Sequence, residues 1–345
     1  MPYTSARRWA TALALAFVAI AASAVICTAQ QPAAARRPPA GGTFKRLAPG
    51  IETTVPVHLD AEETAETHNL VDITRGIPDL EWTPNFMPKS RTLLEMAKST
   101  TIHRTIWNLE FTFKPLRMVR VDVPQRDGTM DRKVIWYMVY RVKNKGGHLK
   151  PRLRDKDEQL EAAEGQAPVT LPKGTYAVDK VDEVLLPFAS KPSTGLKFFP
   201  MFLLETQDEA KVKSFNDHIM PVAVPAIQRR EDANRTLLNT VEMTKATIQL
   251  STEQIDKSVW GVVTWEDVDP KTDYFSIYIS GLTNAYRWKD NPEAVKPGTP
   301  PGAGRTFTRR MLKLNLWRPG DEYLQHEEEI RQGMPTAVDY EWVWR

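Results

Sequence analysis

The sequence has a single cysteine, Cys27, among 345 residues. It lies just after an uninterrupted apolar run, Trp9 to Ile26, which follows Arg7 and Arg8. A basic start, a short apolar segment and a small residue at its end are typical of a secretory signal peptide, and we expect cleavage after Ala29. Cleavage would leave no cysteine, which excludes disulfide bonds and a catalytic thiol from the mature chain.

The apolar run also has nearly the minimum length of a membrane-spanning helix, so an uncleaved N-terminal anchor is the alternative. Lipid attachment to Cys27 is disfavoured by the bulky Ile26 before it. Both readings of the N-terminus predict an exported protein, periplasmic or at the cell surface, with a secreted form open. Contact with a membrane is expected only through a retained anchor.

A concentrated excess of positive charge is also missing. The formal net charge is +3, and removing residues 1–29 leaves 44 basic and 43 acidic side chains without a basic stripe. Nucleic-acid binding is therefore not expected. The chain has no Gly-x-Ser-x-Gly and no His-Glu-x-x-His motif, and Gly298 to Thr306 fails as a phosphate-binding loop because Arg305 stands where lysine is required. We expect no cofactor.

The most informative stretch present is Val259 to Trp288. Apolar residues occupy both parities of Val259 to Trp265, which predicts a central strand covered on both faces. In Tyr274 to Gly281 the odd positions Phe275, Ile277 and Ile279 share one face, and the polar residues between them share the other. We expect one face of this second strand to be buried and the other to be partly solvated.

Alternating apolar residues predict further strands. They extend over Trp107 to Phe113, Val119 to Val123, Lys133 to Val142, Leu312 to Leu316 and Tyr340 to Trp344. An Asp127-Gly128 turn joins the second and third of these as a hairpin. Hairpin connections and few helices favour a mostly β fold, an antiparallel β-sandwich with a few short helices.

Four segments are expected. Residues 1–29 form the signal peptide, and residues 30–70 a Pro/Ala-rich tether and polar lead-in. Residues 71–206 and 207–345 form two β-rich domains, or one unit together. Lys133 to Gly147 resembles the strand end of many immunoglobulin-like exported modules, which implies up to two immunoglobulin-like sandwiches.

Two shorter pieces, Gly281 to Trp288 and Leu316 to Tyr323, resemble segments of uncharacterised exported bacterial proteins. The resemblance loosely covers Gly76 to Arg345. That group has no assigned activity and no assigned catalytic residue, so the resemblance implies an exported protein and nothing about its chemistry.

Carboxylates crowd the turn between the two strands of Val259 to Trp288, at Glu266, Asp267, Asp269 and Asp273. Calcium prefers several oxygen ligands on a tight loop, so a structural Ca²⁺ site is one hypothesis. An acidic, solvated turn whose geometry Asp269-Pro270 sets is the other, and the spacing matches no EF-hand.

Nine of the ten tryptophans lie beyond residue 29. Such side chains fill sandwich cores, but exposed ones stack on sugar rings or on partner proteins. Trp288 and Trp317 are the best candidates for exposure, because Trp288 follows a polar knuckle and Trp317 shares a strand face with Lys313 and Asn315. Our candidate binding residues are Trp288, Trp317, Tyr286 and Asn284.

These observations favour an exported cell-envelope protein that binds a protein or glycan partner and is not an enzyme. One alternative is a hydrolase using two carboxylates, which need different environments within about 5 to 10 Å of each other. Its candidate residues are Glu266, Asp267, Asp269, Asp321 and Glu322. A purely structural role in an envelope layer is the other alternative.

The calcium hypothesis predicts that added Ca²⁺ raises the melting temperature, because a ligand that binds only the folded state stabilises it. Thermal unfolding with and without Ca²⁺ measures this effect. A melting temperature that Ca²⁺ leaves unmoved removes the hypothesis.

Overall fold

The structure is a computed structural model. It describes residues 50–67, 101–160, 169–186, 189–207, 212–269, 272–291, 293, 304–318, 330–333 and 337–345. Residues 43–345 form one compact unit. The expected signal peptide and most of the expected tether lie outside the described residues. No helix in the described part of the chain is both long and apolar enough to cross a bilayer.

Strands dominate the first half of the described chain, as expected for a mostly β fold. A single 3₁₀ turn, Ala61–Thr64, is capped by Asp60. The strands are β1 Thr53–Val55, β2 Ala65–Thr67, β3 Thr101–His103, β4 Glu110–Phe113, β5 Arg117–Pro124, β6 Met130–Lys143, β7 His148–Leu153, β8 Glu158–Leu160, β9 Val169–Leu171 and β10 Tyr176–Val181.

The second half adds the two α-helices of the described residues, α1 Val224–Glu231 and α2 Thr240–Lys245. Asn239 and Glu242 form a capping box at the start of α2, which explains why so short a helix begins there. The strands are β11 Met201–Thr206, β12 Ser214–Asn216, β13 Val259–Trp265, β14 Tyr274–Ser280, β15 Tyr286–Asp290, β16 Arg305–Trp317, β17 Arg331–Gln332 and β18 Tyr340–Trp344.

The first sheet is built on the long strand β6. β6 pairs antiparallel with β4 and β5 along one edge and with β13 along the other, and β1 adds to β4. β5 and β6 form the hairpin that the Asp127-Gly128 dipeptide predicted, with Gly128 at a φ of 84°.

The second sheet is built on β16 and has the order β12-β11-β14-β16-β15, with β17 and β18 also pairing with β16. β14 lies between β11 and β16, and its expected core face is fully buried at Phe275, Ile277 and Ile279. Its other face is less exposed to solvent than expected, because Ser276 is also fully buried and donates a hydrogen bond to Asn315. β14 is thus the central strand of its sheet.

The two sheets pack face to face around one hydrophobic core, so the fold is an antiparallel β-sandwich. The ring of Trp136 meets Phe275 edge-on, with centroids 5.3 Å apart, and Tyr140 lies 4.9 Å from Phe202. An immunoglobulin-like topology is not confirmed by these strand orders.

Both sheets draw strands from each side of residue 206, where we expected a domain boundary. β13 joins the first sheet although it follows that residue, and β11 joins the second sheet although it precedes it. The expected boundary therefore does not separate one sheet from the other, and residues 43–345 form one compact unit.

β13 is buried on both faces, as predicted, but it is the last strand of its sheet and not a central one. Its outer face packs with β6 and with Ile227 of α1 in a second, smaller core. Its free edge is covered by Leu238, which bonds to the backbone of Trp260 and Val262. The helix and the loop that cover β13, and not its place in the sheet, explain why apolar residues occupy both its odd and its even positions.

His148 is the first residue of β7 and has no exposed surface. No described group hydrogen-bonds to either of its ring nitrogens. Burial lowers the pKa of His148, although the charge of Asp182 partly opposes this shift. The folded chain therefore protonates this imidazole only at a lower pH than the unfolded chain, which protonates it below about pH 6.5.

The free energy of unfolding should therefore fall as the pH drops below about 6.5, because the unfolded state binds the additional proton. We expect His148→Leu to weaken this pH dependence, measured by urea unfolding at several pH values between 7.5 and 5. His58→Gln, at an exposed histidine, is the control. Identical pH dependence in the wild type and His148→Leu would contradict the assignment.

Candidate binding cleft

The candidate site is organised by a tight knuckle that joins β14 to β15, Gly281 to Ala285. Gly281 has a φ of 90°, which favours glycine, and a Cβ here would lie 2.3 Å from the backbone oxygen of Phe199. Leu282 is fully buried in the sandwich core, and its carbonyl accepts a hydrogen bond from the amide of Leu109. The knuckle is thereby fixed to both sheets.

Asn284, one of the predicted binding residues, has a structural task. Its Oδ1 accepts a hydrogen bond from the amide of Trp107 at 2.9 Å, and its Nδ2 donates to the carbonyl of Thr105 at 2.8 Å. The side-chain amide thus replaces a strand partner for the segment that leads into β4. It places Trp107 beside the knuckle.

A cleft of about 410 Å³ opens above this knuckle. Its aromatic walls come from three separate parts of the chain. Trp107 precedes β4, Phe199 precedes β11, and Tyr286 and Phe307 are diagonal neighbours on the β15–β16 pair, with ring centroids 6.0 Å apart. Phe199 is 63% exposed and Phe307 is 54% exposed. Two large apolar rings are therefore open to a ligand.

Tyr286 is held in place from behind by Arg104. The guanidinium lies 3.8 Å from the centroid of the tyrosine ring and donates to the Tyr286 carbonyl at 2.7 Å. It also donates to the carbonyl of Glu63, whose side chain forms a buried ion pair with Arg310 at 2.9 Å. Burial raises the pKa of Glu63 against the opposing charge of Arg310. This wall is therefore fixed by contacts within the chain.

Arg309 is the one charged side chain among the described residues that line the cleft, and no carboxylate or imidazole is among them. It lies directly opposite Tyr286 in the pairing of β15 with β16, so both side chains share a face. The cleft therefore combines aromatic surface with one cation, without the paired acid and base groups that hydrolysis needs.

Trp288 and Trp317 differ in their surroundings. Trp288 is half-buried, lies directly opposite Phe307 and has the guanidinium of Arg305 3.7 Å from its ring centroid. It extends the aromatic surface beyond Tyr286. Trp317 is only 5% exposed and stacks on Tyr274 at the far end of β16, about 30 Å away at the rise of a strand.

The exposure that we expected for Trp317 is therefore wrong. Its strand face carries the polar residues Lys313 and Asn315, as the sequence indicated, but Asn315 is fully buried and donates to the carbonyl of Val338. Arg331 also lies 5.0 Å from the ring centroid of Trp317. Later segments of the chain cover this face, and no local pattern shows that.

In the acidic turn, Glu266 contacts two side chains, Lys133 and His218. Its Oε1 accepts from Lys133 Nζ at 2.5 Å, and its Oε2 lies 2.7 Å from Nδ1 of His218. The hydrogen bond from Lys133 lowers the pKa of Glu266. Nothing in the sequence indicated His218 as a partner, because it precedes Glu266 by many residues and belongs to no motif.

The other three carboxylates do not gather around Glu266 as ligands. Asp267 has a φ of 59° and approaches Lys133 at 3.4 Å, while the backbone carbonyls of Asp269 and Asp273 accept from the amides of Thr272 and Arg318. No group of three or more His, Cys, Asp or Glu side chains in the described ranges is arranged to hold a metal ion. The calcium hypothesis stays a prediction.

The hydrolase alternative also stays a prediction, since Asp321 and Glu322 lie outside the described residues. Of the predicted binding residues, Asn284 and Tyr286 line the cleft and Trp288 lies next to it on the same strand face, and their role in binding stays a prediction. The sequence analysis missed Phe199, Phe307 and Arg309. The one local indication of an exposed ring was the alternation of Thr306, Phe307 and Thr308, which places an aromatic residue between polar neighbours.

Comparisons of the chain with protein-family models, with curated proteins and with solved structures give no match. The geometry and chemistry of the cleft itself are therefore what point to a function.

We expect Gly281→Ala to destabilise the fold by about 2 to 3 kcal/mol, because it adds a backbone clash to a strained φ. Gly128→Ala is the matched control, since its φ of 84° is similar but a Cβ there meets nothing within 4 Å. Chemical denaturation measures both variants. Equal losses in the two would contradict the close approach to Phe199.

Proposed function

We propose that the protein is an exported cell-envelope module that binds a glycan in the cleft and has no catalytic activity. The observation that carries this proposal is the aromatic surface of the cleft. Phe199 and Phe307 are both more than half exposed to solvent. Exposed aromatic rings that converge on one cleft suit the apolar faces of sugar rings.

The size of the cleft favours a glycan over a folded protein partner. Its volume of about 410 Å³ lies within the range of small-molecule sites, about 300 to 1,000 Å³. A stable interface with another protein covers about 800 Å² on each side. The rigid positions of Trp107 and Tyr286 also suit a small ligand, because pre-organised groups lose little freedom on binding.

The cellular location rests on the N-terminal sequence. Arg7, Arg8 and the apolar run after them support export, and the Pro/Ala-rich residues 30–42 support a tether between the folded unit and the envelope. A glycan-binding module in that place would meet its ligand outside the cytosol.

We expect Phe307→Ala to weaken glycan binding about tenfold, because one stacking surface is lost. Isothermal titration of the purified protein against a panel of neutral and acidic oligosaccharides measures the change. Met130→Ala is the control, since Met130 is 63% exposed in the hairpin between β5 and β6. Binding of no oligosaccharide, or equal binding by Phe307→Ala, would contradict the proposal.

A further inference from the structure

Arg309 differs from Lys313, a second cation on the same face of its strand. By alternation along β16, Phe307, Arg309 and Lys313 project from the outer face of the second sheet, opposite to the core residue Leu312. Lys313 is paired with Glu341 at 2.7 Å. Among the described residues, no carboxylate lies within ion-pair distance of Arg309, which is exposed at the cleft.

The nearest strand neighbour of Arg309 does not neutralise it. The backbone of Arg309 pairs with that of Arg345, so two guanidinium groups leave the same face side by side. Arg345 donates to Glu205 at 2.8 Å, and this hydrogen bond lowers the pKa of Glu205, which keeps that carboxylate committed. The two carboxylates described beside this part of the face, Glu205 and Glu341, are thus each engaged by another cation.

We propose that the cleft selects an acidic sugar, a hexuronic acid whose carboxylate binds Arg309 while its ring stacks on Phe307 and Tyr286. This inference rests on the proposed glycan-binding function and specifies its ligand. In a hexuronate the carboxylate is attached directly to the sugar ring, and Arg309 lies directly opposite Tyr286 in the strand pairing, so the cation and an aromatic ring are neighbours on one face. The planar guanidinium can donate to both carboxylate oxygens at once.

Charge and shape both act in this choice. A neutral sugar would use the aromatic wall and leave Arg309 to solvent, whereas a free phosphate would use Arg309 and leave the rings empty. A hexuronate would contact both the aromatic wall and Arg309. Its affinity should fall with added salt, since an exposed ion pair is screened, and the affinity of a neutral sugar should not.

The test is a titration of the purified protein with a hexuronic acid trimer and with its carboxyl-reduced, neutral counterpart. We expect the acidic trimer to bind about tenfold more tightly, as a charge-assisted hydrogen bond predicts. Arg309→Gln should remove this preference and leave the affinity for the neutral trimer within about twofold. Arg309→Lys should keep part of it, because the charge remains and the planar fork is lost.

Arg126→Gln, an exposed arginine in the turn between β5 and β6, is the matched control and should change neither affinity. Equal binding of the two trimers overturns the inference and leaves the proposed function standing. An acidic preference that survives in Arg309→Gln also overturns it. Binding of neither trimer, or of an acidic peptide in their place, overturns the inference, and the full panel of oligosaccharides then decides the proposed function separately.

Discussion

Contact between the inner face of β6 and the inner faces of β11 and β14 holds the molecule together. Trp136 meets Phe275 and Tyr140 meets Phe202 across the interface, and all four side chains are almost completely buried. Each aromatic pair contributes about 0.5 to 1.5 kcal/mol beyond its burial. The long strands β6 and β16 each pair with several other strands. The contacts between the two inner faces therefore also position the strands that pair with β6 and β16.

The cleft exists because the core continues into the knuckle after β14. Leu282 is anchored in the sandwich, and Gly281 allows the chain to reverse against the backbone of Phe199. Asn284 then holds the segment before β4 with its side-chain amide. A change that loosened the core at Leu282 would therefore move the cleft wall as well, so the stability of the fold and the shape of the cleft are coupled through Gly281, Leu282 and Asn284.

Two of the cations on the outer face of the second sheet form ion pairs with carboxylates of the same sheet. Glu205 engages Arg345 and Glu341 engages Lys313, so these cations are committed within the fold. Exposed ion pairs contribute only about 0 to 1 kcal/mol each, so their main effect is on the electrostatic surface and not on stability. Arg309 is exposed at the cleft, and the proposed preference for an acidic sugar depends on this difference.

The sequence alone determined the strands with strict alternation, the hairpin at Asp127-Gly128 and the mostly β sandwich, because period-two burial is a local property of each strand. It also indicated Tyr286 and Trp288 as candidate binding residues. Tertiary structure alone decided that β14 and not β13 is central, that Trp317 is buried, and that Phe199, Phe307 and Arg309 meet at one cleft. Those outcomes depend on which distant segment covers each face, and an alternating pattern shows that a face is apolar without showing what lies against it.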